Sequence, residues 1–199
     1  MAPDHAADVA AFDRRAESYE SGGIGRWHAK VVERSADVAL AAMPVPLRVL
    51  DVGCGTGALL REMVVRLPYG EAYVGVDPAP AMLAVARRLS DPRIEFVRGV
   101  AESLPFPDAT FDLVITSTSF DHWADQRAGL TELGRVVSDN GRVVLVDLSA
   151  AWLRSHGRAR SPRRVRQLLD EAGLRLERRE TLYRLGYTVP LIRAFIASL

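Results

Sequence analysis

The run Val49-Leu50-Asp51-Val52-Gly53-Cys54-Gly55-Thr56-Gly57 constrains the fold of this 199-residue chain more than any other segment. An apolar strand from Arg48 to Val52 carries an acidic residue, three glycines follow at a spacing of two, and an amphipathic helix opens at about Ala58. Glycine lacks a Cβ, so the backbone bends sharply there and a ligand can lie against it. The dinucleotide fingerprint G-x-G-x-x-G differs by one residue and sets a pyrophosphate on the helix N-terminus. Here the spacing is G-x-G-x-G.

The rest of the chain alternates in the same sense. Apolar runs at Leu47–Val52, Ala72–Val76, Ile94–Val97, Leu113–Thr116 and Val143–Val146 predict strands covered on both faces, as in parallel sheets. Helical periodicity fills the gaps at Ala58–Leu67, Ala79–Leu89 and Arg127–Val137. Such alternation predicts an α/β, doubly wound sheet with right-handed crossovers. Ser161-Pro162 reads as an N-cap with proline at the first helical position, Gly173 as the stop, and Leu174–Arg184 as a strand. Leu191–Leu199 suits a helix face or a returning strand. Ahead of the core, Ala6–Glu20 and Trp27–Ala42 read as helices joined by Ser21–Gly25.

The length suits one domain with a buried core. No apolar run reaches transmembrane length and the polar N-terminus has no signal-peptide h-region, so a cytoplasmic protein is expected. Cys54 is the only cysteine, which excludes a disulfide framework, and no cluster has metal-ligand spacing. Residues 1–150 hold 15 Arg/Lys against 21 Asp/Glu, whereas residues 151–199 hold 11 Arg against 4 Asp/Glu. The basic tail lacks interleaved aromatics and reads as a solvated face rather than a nucleic-acid surface.

Asp77 ends the second strand, 20 residues beyond Gly57. An acid there can accept both hydroxyls of a ribose, each such bond contributing about 1.5–3 kcal/mol. Its replacement by alanine is therefore expected to weaken binding by about that amount with the fold intact. A plain helix-capping role is the alternative.

The acidic glycine loop resembles motif I of the class I S-adenosylmethionine (SAM) methyltransferases. Phe96-Val97-Arg98-Gly99-Val100-Ala101-Glu102-Ser103-Leu104-Pro105-Phe106 and Phe111-Asp112-Leu113-Val114 resemble the small-molecule, type 11 group of that superfamily. Leu130–Val137 and Arg142–Asp147 match it too, with Ser138-Asp139-Asn140-Gly141 in place of the usual Lys-Pro-Gly-Gly turn. Phe12-Asp13-x-x-Ala16-x-x-Tyr19-Glu20 resembles the lid element of menaquinone/ubiquinone-type C-methyltransferases. The resemblance implies a Rossmann-like, mostly parallel seven-stranded sheet with the last strand antiparallel. Residues 1–44 would form lid helices, and residues 45–199 the SAM-binding core. It implies SAM as cofactor, held by Tyr19, Asp51, Gly53, Cys54, Gly55, Gly57, Asp77, Pro78, Met82, Val100, Ala101, Glu102 and Ser117. Val100 stands where the family often has an Asp for the adenine amino group, leaving the Ala101 amide and apolar packing.

The acceptor is expected beyond the fourth strand, at Ser117–Trp123. The Asn/Asp-Pro-Pro-Tyr/Phe motif of base and amide methylation is absent, which points to a small organic acceptor. His122 is the candidate base, or a structural histidine; Asp121 could orient it and His28 is a second candidate. His5 and His156 carry no case by their surroundings. Trp27, Phe120, Trp123 and Trp152 would give an apolar wall suited to an aromatic or lipophilic molecule. Three other readings stand beside this one: a non-catalytic methyltransferase-like subunit, an NAD(P)-dependent oxidoreductase, and an RNA methyltransferase.

Overall fold

A computed structural model describes residues 5–148, 161–185 and 189–199. Helix α1 (His5–Arg15) runs through a 3-10 turn (Ala16–Ser18) toward α2 (Gly22–Ala42). Then come β1 (Arg48–Val52), α3 (Ala58–Arg66), β2 (Ala72–Asp77), α4 (Pro80–Leu89), β3 (Ile94–Arg98), β4 (Phe111–Ser117), α5 (Gln126–Val136), β5 (Val137–Leu148), α6 (Pro162–Glu171), β6 (Arg175–Leu185) and β7 (Val189–Ser198). The seven strands form one sheet in the order β3-β2-β1-β4-β5-β7-β6. All run parallel except β7, which is antiparallel to both β5 and β6. This is the Rossmann-like α/β fold. The order reverses between β1 and β4, and ligands of such sheets bind at the strand carboxyl ends beside that switch point.

Period-two alternation divides the core between two faces. Val144 and Val146 of β5 pack with α2, α3 and α4, whereas Val143 and Leu145 pack with α5 and α6. On β4 the alternation breaks: Phe111 joins one face and Leu113 the other. The register explains it, since Phe111 pairs with Val137 but Leu113 with Arg142. Ser138–Gly141 is thus an excursion within β5, not a turn ahead of it, and it works as a bulge.

The ambiguous last segment is a strand. Wedged between β5 and β6, it sends Ile192, Ala194 and Ile196 to one face and Phe195 and Ala197 to the other. The Ser21–Gly25 link is mostly helix: α2 begins at Gly22, because Gly25 lets its turn close on Glu20, whose carbonyl a Cβ at Gly25 would meet at 2.2 Å. The first helix ends at Arg15, not Glu20, and continues only as a 3-10 turn. Ser161 accepts from the Arg164 N–H, and Gly173 (φ +78°) ends α6 as expected.

Candidate functional site

The glycine loop leaves β1 with its glycines in the left-handed region, φ being +76° at Gly53 and +52° at Gly55. A Cβ on Gly53 would lie 1.8 Å from Ser119 Oγ, so this glycine is demanded by close packing. A Cβ on Gly55 would meet nothing within 4 Å. Gly55 also lines a cavity of about 90 Å³, together with the rest of the loop, the ends of β2 and β4, and the N-terminal helices. The loop thus offers bare backbone to a ligand.

Two buried carboxyls form the cavity floor. Asp77 Oδ2 accepts from the Gly55 N–H and its Oδ1 from the Ala79 N–H, both at 2.8 Å. Asp51 has no hydrogen bond or ion pair to its carboxyl among the described residues. Burial, with the neighbouring Asp77 charge, pushes its pKa up to about 8. Asp77 is also raised, mainly by burial, against the lowering effect of its two amide bonds. Burial pushes the Cys54 thiol well above its usual range, so it is no nucleophile. No arginine or lysine is among the described residues lining this cavity, whereas Asp8, Asp51, Asp77 and Glu102 are.

The N-terminal segment roofs the cavity. Three of its carboxylates bond to the helices beneath it, α4 and α3: Asp13 accepts from the Ala81 N–H at 2.8 Å, Glu17 pairs with Arg88 at 2.7 Å, and Glu20 pairs with Arg61 at 2.6 Å. Asp8 Oδ2 stands 3.4 Å from His122 Nδ1. Phe12 meets the His122 ring edge-on at 5.0 Å and Tyr19 meets His28 at 5.1 Å. These four side chains form a partition. Beyond it lies a wider bowl of about 650 Å³, which Asp8, Arg14, Arg15, Trp27 and Thr118 also line. Thr118 has φ +54°, a costly conformation for a β-branched residue, and holds its Oγ1 3.5 Å from His28 Nε2. Burial lowers the His28 pKa, which keeps that imidazole neutral near pH 7.

Residues 50–145 match a family model described as a methyltransferase domain. A demethylmenaquinone methyltransferase of Thermus thermophilus is 39% identical over 125 residues, covering 61% of this chain and 54% of that protein. Residues 50–145 are thus similar to a methyltransferase domain. Solved structures agree in fold. A chain from the complex of the Haloferax volcanii Trm112 methyltransferase activator with a methyltransferase superposes with a TM-score of 0.79 at 22% identity, covering 94% of this chain and 96% of that one. A SAM-dependent methyltransferase of Thermotoga maritima gives 0.72 at 20% identity, covering 96% and 98%. The chain spans about half the length of the curated relatives it matches.

Most of the residues that the sequence resemblance would set around a methyl donor line this cavity: Tyr19, Asp51, Gly53, Cys54, Gly55, Asp77, Pro78, Met82, Val100, Ala101, Glu102 and Ser117. Gly57 does not. It caps α3, and a Cβ there would strike Phe96 at 2.7 Å, on the side away from the cavity. His28 and His122 line both spaces. Asp121 lines neither: it is buried and its backbone N–H donates to Asp147, so the carboxylate at the His122 Nδ1 edge is Asp8 instead. Trp123 lines the cavity and Trp27 the bowl, whereas Phe120 is buried behind Trp123. Trp152 and His156 lie outside the described residues. His5, Asp8 and Val9 were missed as lining residues. With Phe12 they fall at i, i+3, i+4 and i+7 of α1, a spacing that marks one helix face.

Asp77 does more than the sequence suggests, because it also braces the loop. Asp77→Ala would strand the buried Ala79 N–H, at about 1–3 kcal/mol, and remove the acceptor of the part-buried Gly55 N–H. Thermal unfolding should therefore show a clear loss of stability beside the loss of S-adenosylhomocysteine affinity. A variant as stable as the parent would mean that Gly55 and Ala79 find other acceptors.

Proposed function

We propose that this chain transfers a methyl group from SAM to a small aromatic or lipophilic acceptor. One observation carries the reading: the glycine loop faces a cavity with a doubly acidic floor and no arginine or lysine among its described lining residues. A pyrophosphate would find no cationic partner among these lining residues, which disfavours the NAD(P) reading, whereas a ligand with an ammonium and a sulfonium favours the ionised form of Asp51 and is then electrostatically matched. The residues fit SAM. Gly55 leaves open space where the ligand would lie, Asp51 offers an uncompensated carboxyl for its ammonium, and Asp77 keeps lone pairs for its ribose. When bound, SAM supplies an electrophilic methyl group on its sulfur.

The chain contributes alignment, exclusion of water and a proton acceptor. The cavity is smaller than the roughly 150 Å³ that an engineered protein cavity gives to benzene, so entry of the nucleoside requires the N-terminal segment to lift. Its anchoring ion pairs are solvent-screened and individually weak, which permits that motion. Residues 1–44 thus act as a lid on the core of residues 45–199. His122 takes the acceptor's proton, and Asp8 positions its ring and supports the imidazolium that forms. The name shared by the curated relatives, demethylmenaquinone methyltransferase, supports a quinone-type acceptor.

Isothermal titration with SAM and with NADH, followed by an assay for S-adenosylhomocysteine release on short-chain demethylquinols, tests the reading. SAM binding with turnover is expected. NADH binding in place of SAM would overturn it, and SAM binding with no turnover on any acceptor would favour the non-catalytic reading. His122→Gln should lower kcat by about 100-fold or more with S-adenosylhomocysteine affinity retained. Asp8→Asn should lower kcat less, again with S-adenosylhomocysteine affinity retained, because Asp8 Oδ2 stands 3.4 Å from His122 Nδ1. An unchanged kcat would make Asp8 a packing residue.

A further inference from the structure

The outer bowl has a charge pattern that the methyl-transfer reading leaves unused. Arg14 and Arg15 line it and are absent from the donor cavity, so they do not serve the donor's own carboxylate. Neither forms an ion pair among the described residues. The Arg15 guanidinium lies over the Phe12 ring at 4.9 Å and its Nε donates to the Ala11 carbonyl at 3.3 Å. Stacking of this kind holds a guanidinium ready without neutralising it. The acids that could have quenched the pair are committed elsewhere: Asp13 to the α4 amide, Glu17 to Arg88 and Glu20 to Arg61. Asp8 lies six residues before Arg14, about 9 Å along the helix axis, and faces His122. The bowl's wall is therefore mixed in charge: it carries the Asp8–His122 pair, two guanidiniums with no ion pair among the described residues, displaced from Asp8 along the same helix, and the rings of Phe12, Tyr19 and Trp27.

We propose that the bowl binds an aromatic acid, its rings against Phe12 and Trp27 and its anionic group on Arg14 and Arg15. This rests on the methyltransferase reading for making the bowl the acceptor site, and it takes the aromatic acceptor to carry an acid group rather than to be a neutral quinol. Guanidinium–carboxylate pairs are directional and charge-assisted, so the acid group would also fix which ring position faces the partition. The bowl's volume suits a bicyclic ring system.

The test compares 2-naphthoate with its neutral isostere 2-naphthamide, by titration calorimetry and tryptophan fluorescence, on the full chain with and without saturating S-adenosylhomocysteine. The parent should bind the acid about tenfold or more tightly than the amide. Arg14→Gln/Arg15→Gln should lose that preference while keeping its affinity for S-adenosylhomocysteine. The lysine pair at the same positions, which preserves charge and helix, should keep much of the preference. No binding of naphthoate, equal binding of the two probes, or a preference that survives the glutamine pair would overturn the inference. The two readings fail separately. Normal S-adenosylhomocysteine binding with no acid preference sinks this inference alone; a clear acid preference without binding of SAM or its product sinks the methyltransferase reading and leaves the chemistry of the bowl standing.

Discussion

Asp51→Asn should raise the melting temperature at pH 8.5 and weaken binding of SAM severely in the same protein. In the unfolded chain Asp51 titrates near 3.8, whereas in the fold burial and the Asp77 charge push it up to about 8. The folded state therefore holds the proton more tightly. Its contribution to stability is complete below about pH 3.8, is lost progressively as pH rises toward about 8, and changes no further above that. Each unit of pKa shift corresponds to about 1.36 kcal/mol, and local relaxation reduces the sum to a few kcal/mol. Asparagine resembles the protonated carboxyl, so the variant escapes this loss. The expected gain is roughly 10 °C at pH 8.5 for a chain of this size, shrinking toward zero near pH 4. Asp77, also raised by burial, keeps a slope of the same sign in both proteins. Binding moves the other way, because the donor's ammonium would lose its buried counter-charge. Breaking such a pair costs about 3–5 kcal/mol, a loss of a few hundredfold or more in affinity. Parallel melting curves from pH 4 to 9 check the first half and calorimetry with S-adenosylhomocysteine the second. A gap between parent and variant that does not widen with pH would show that Asp51 is ionised in the fold.

The same buried acids show what the sequence made legible. Asp51 and Asp77 stood out because each ends or interrupts an apolar strand, and a polar group at such a place needs a reason. The five parallel strands were legible for a related cause: burial on both faces leaves no polar alternation to confuse with a helix. What a sequence does not display depends on contacts between distant segments. Asp8 and His5 read as ordinary polar residues of an N-terminal helix, and only the docking of α1 brings them to His122, 117 residues from His5 in the closer contact. Asp121, adjacent to His122 in sequence, was the natural partner by proximity, yet its side chain is buried below the site. The bulge at Ser138–Gly141 was hidden because a turn and an excursion within a strand call for the same small and polar residues. The strand nature of Ile192–Ala197 was open because its apolar residues satisfy both periods; the slot between β5 and β6 decides it.

Two alanine substitutions in one loop should separate folding from binding. At Gly53 the added methyl would lie 1.8 Å from Ser119 Oγ and 2.5 Å from Ser119 Cβ. Ser119 cannot simply turn aside, because its Oγ accepts the Trp123 indole N–H at 3.0 Å and a rotation would strand that donor. To this displacement is added the cost of a left-handed φ for alanine, about 1–2 kcal/mol. Gly53→Ala should therefore fold poorly, with a melting temperature lowered by roughly 10 °C or more. At Gly55 the left-handed φ carries the same backbone cost, but the methyl meets nothing. Gly55→Ala should lose only a few degrees, a small change that circular dichroism will resolve from that of Gly53→Ala. Its methyl group nevertheless occupies the face of the loop on which the donor is proposed to lie, so S-adenosylhomocysteine affinity should fall about tenfold or more. The contrast is the informative result: a stable protein that no longer binds supports a ligand lying against Gly55, where the added methyl meets no protein atom within 4 Å. If Gly55→Ala binds as the parent does, the donor lies elsewhere in the cavity, and the acidic floor must be explained by another cation.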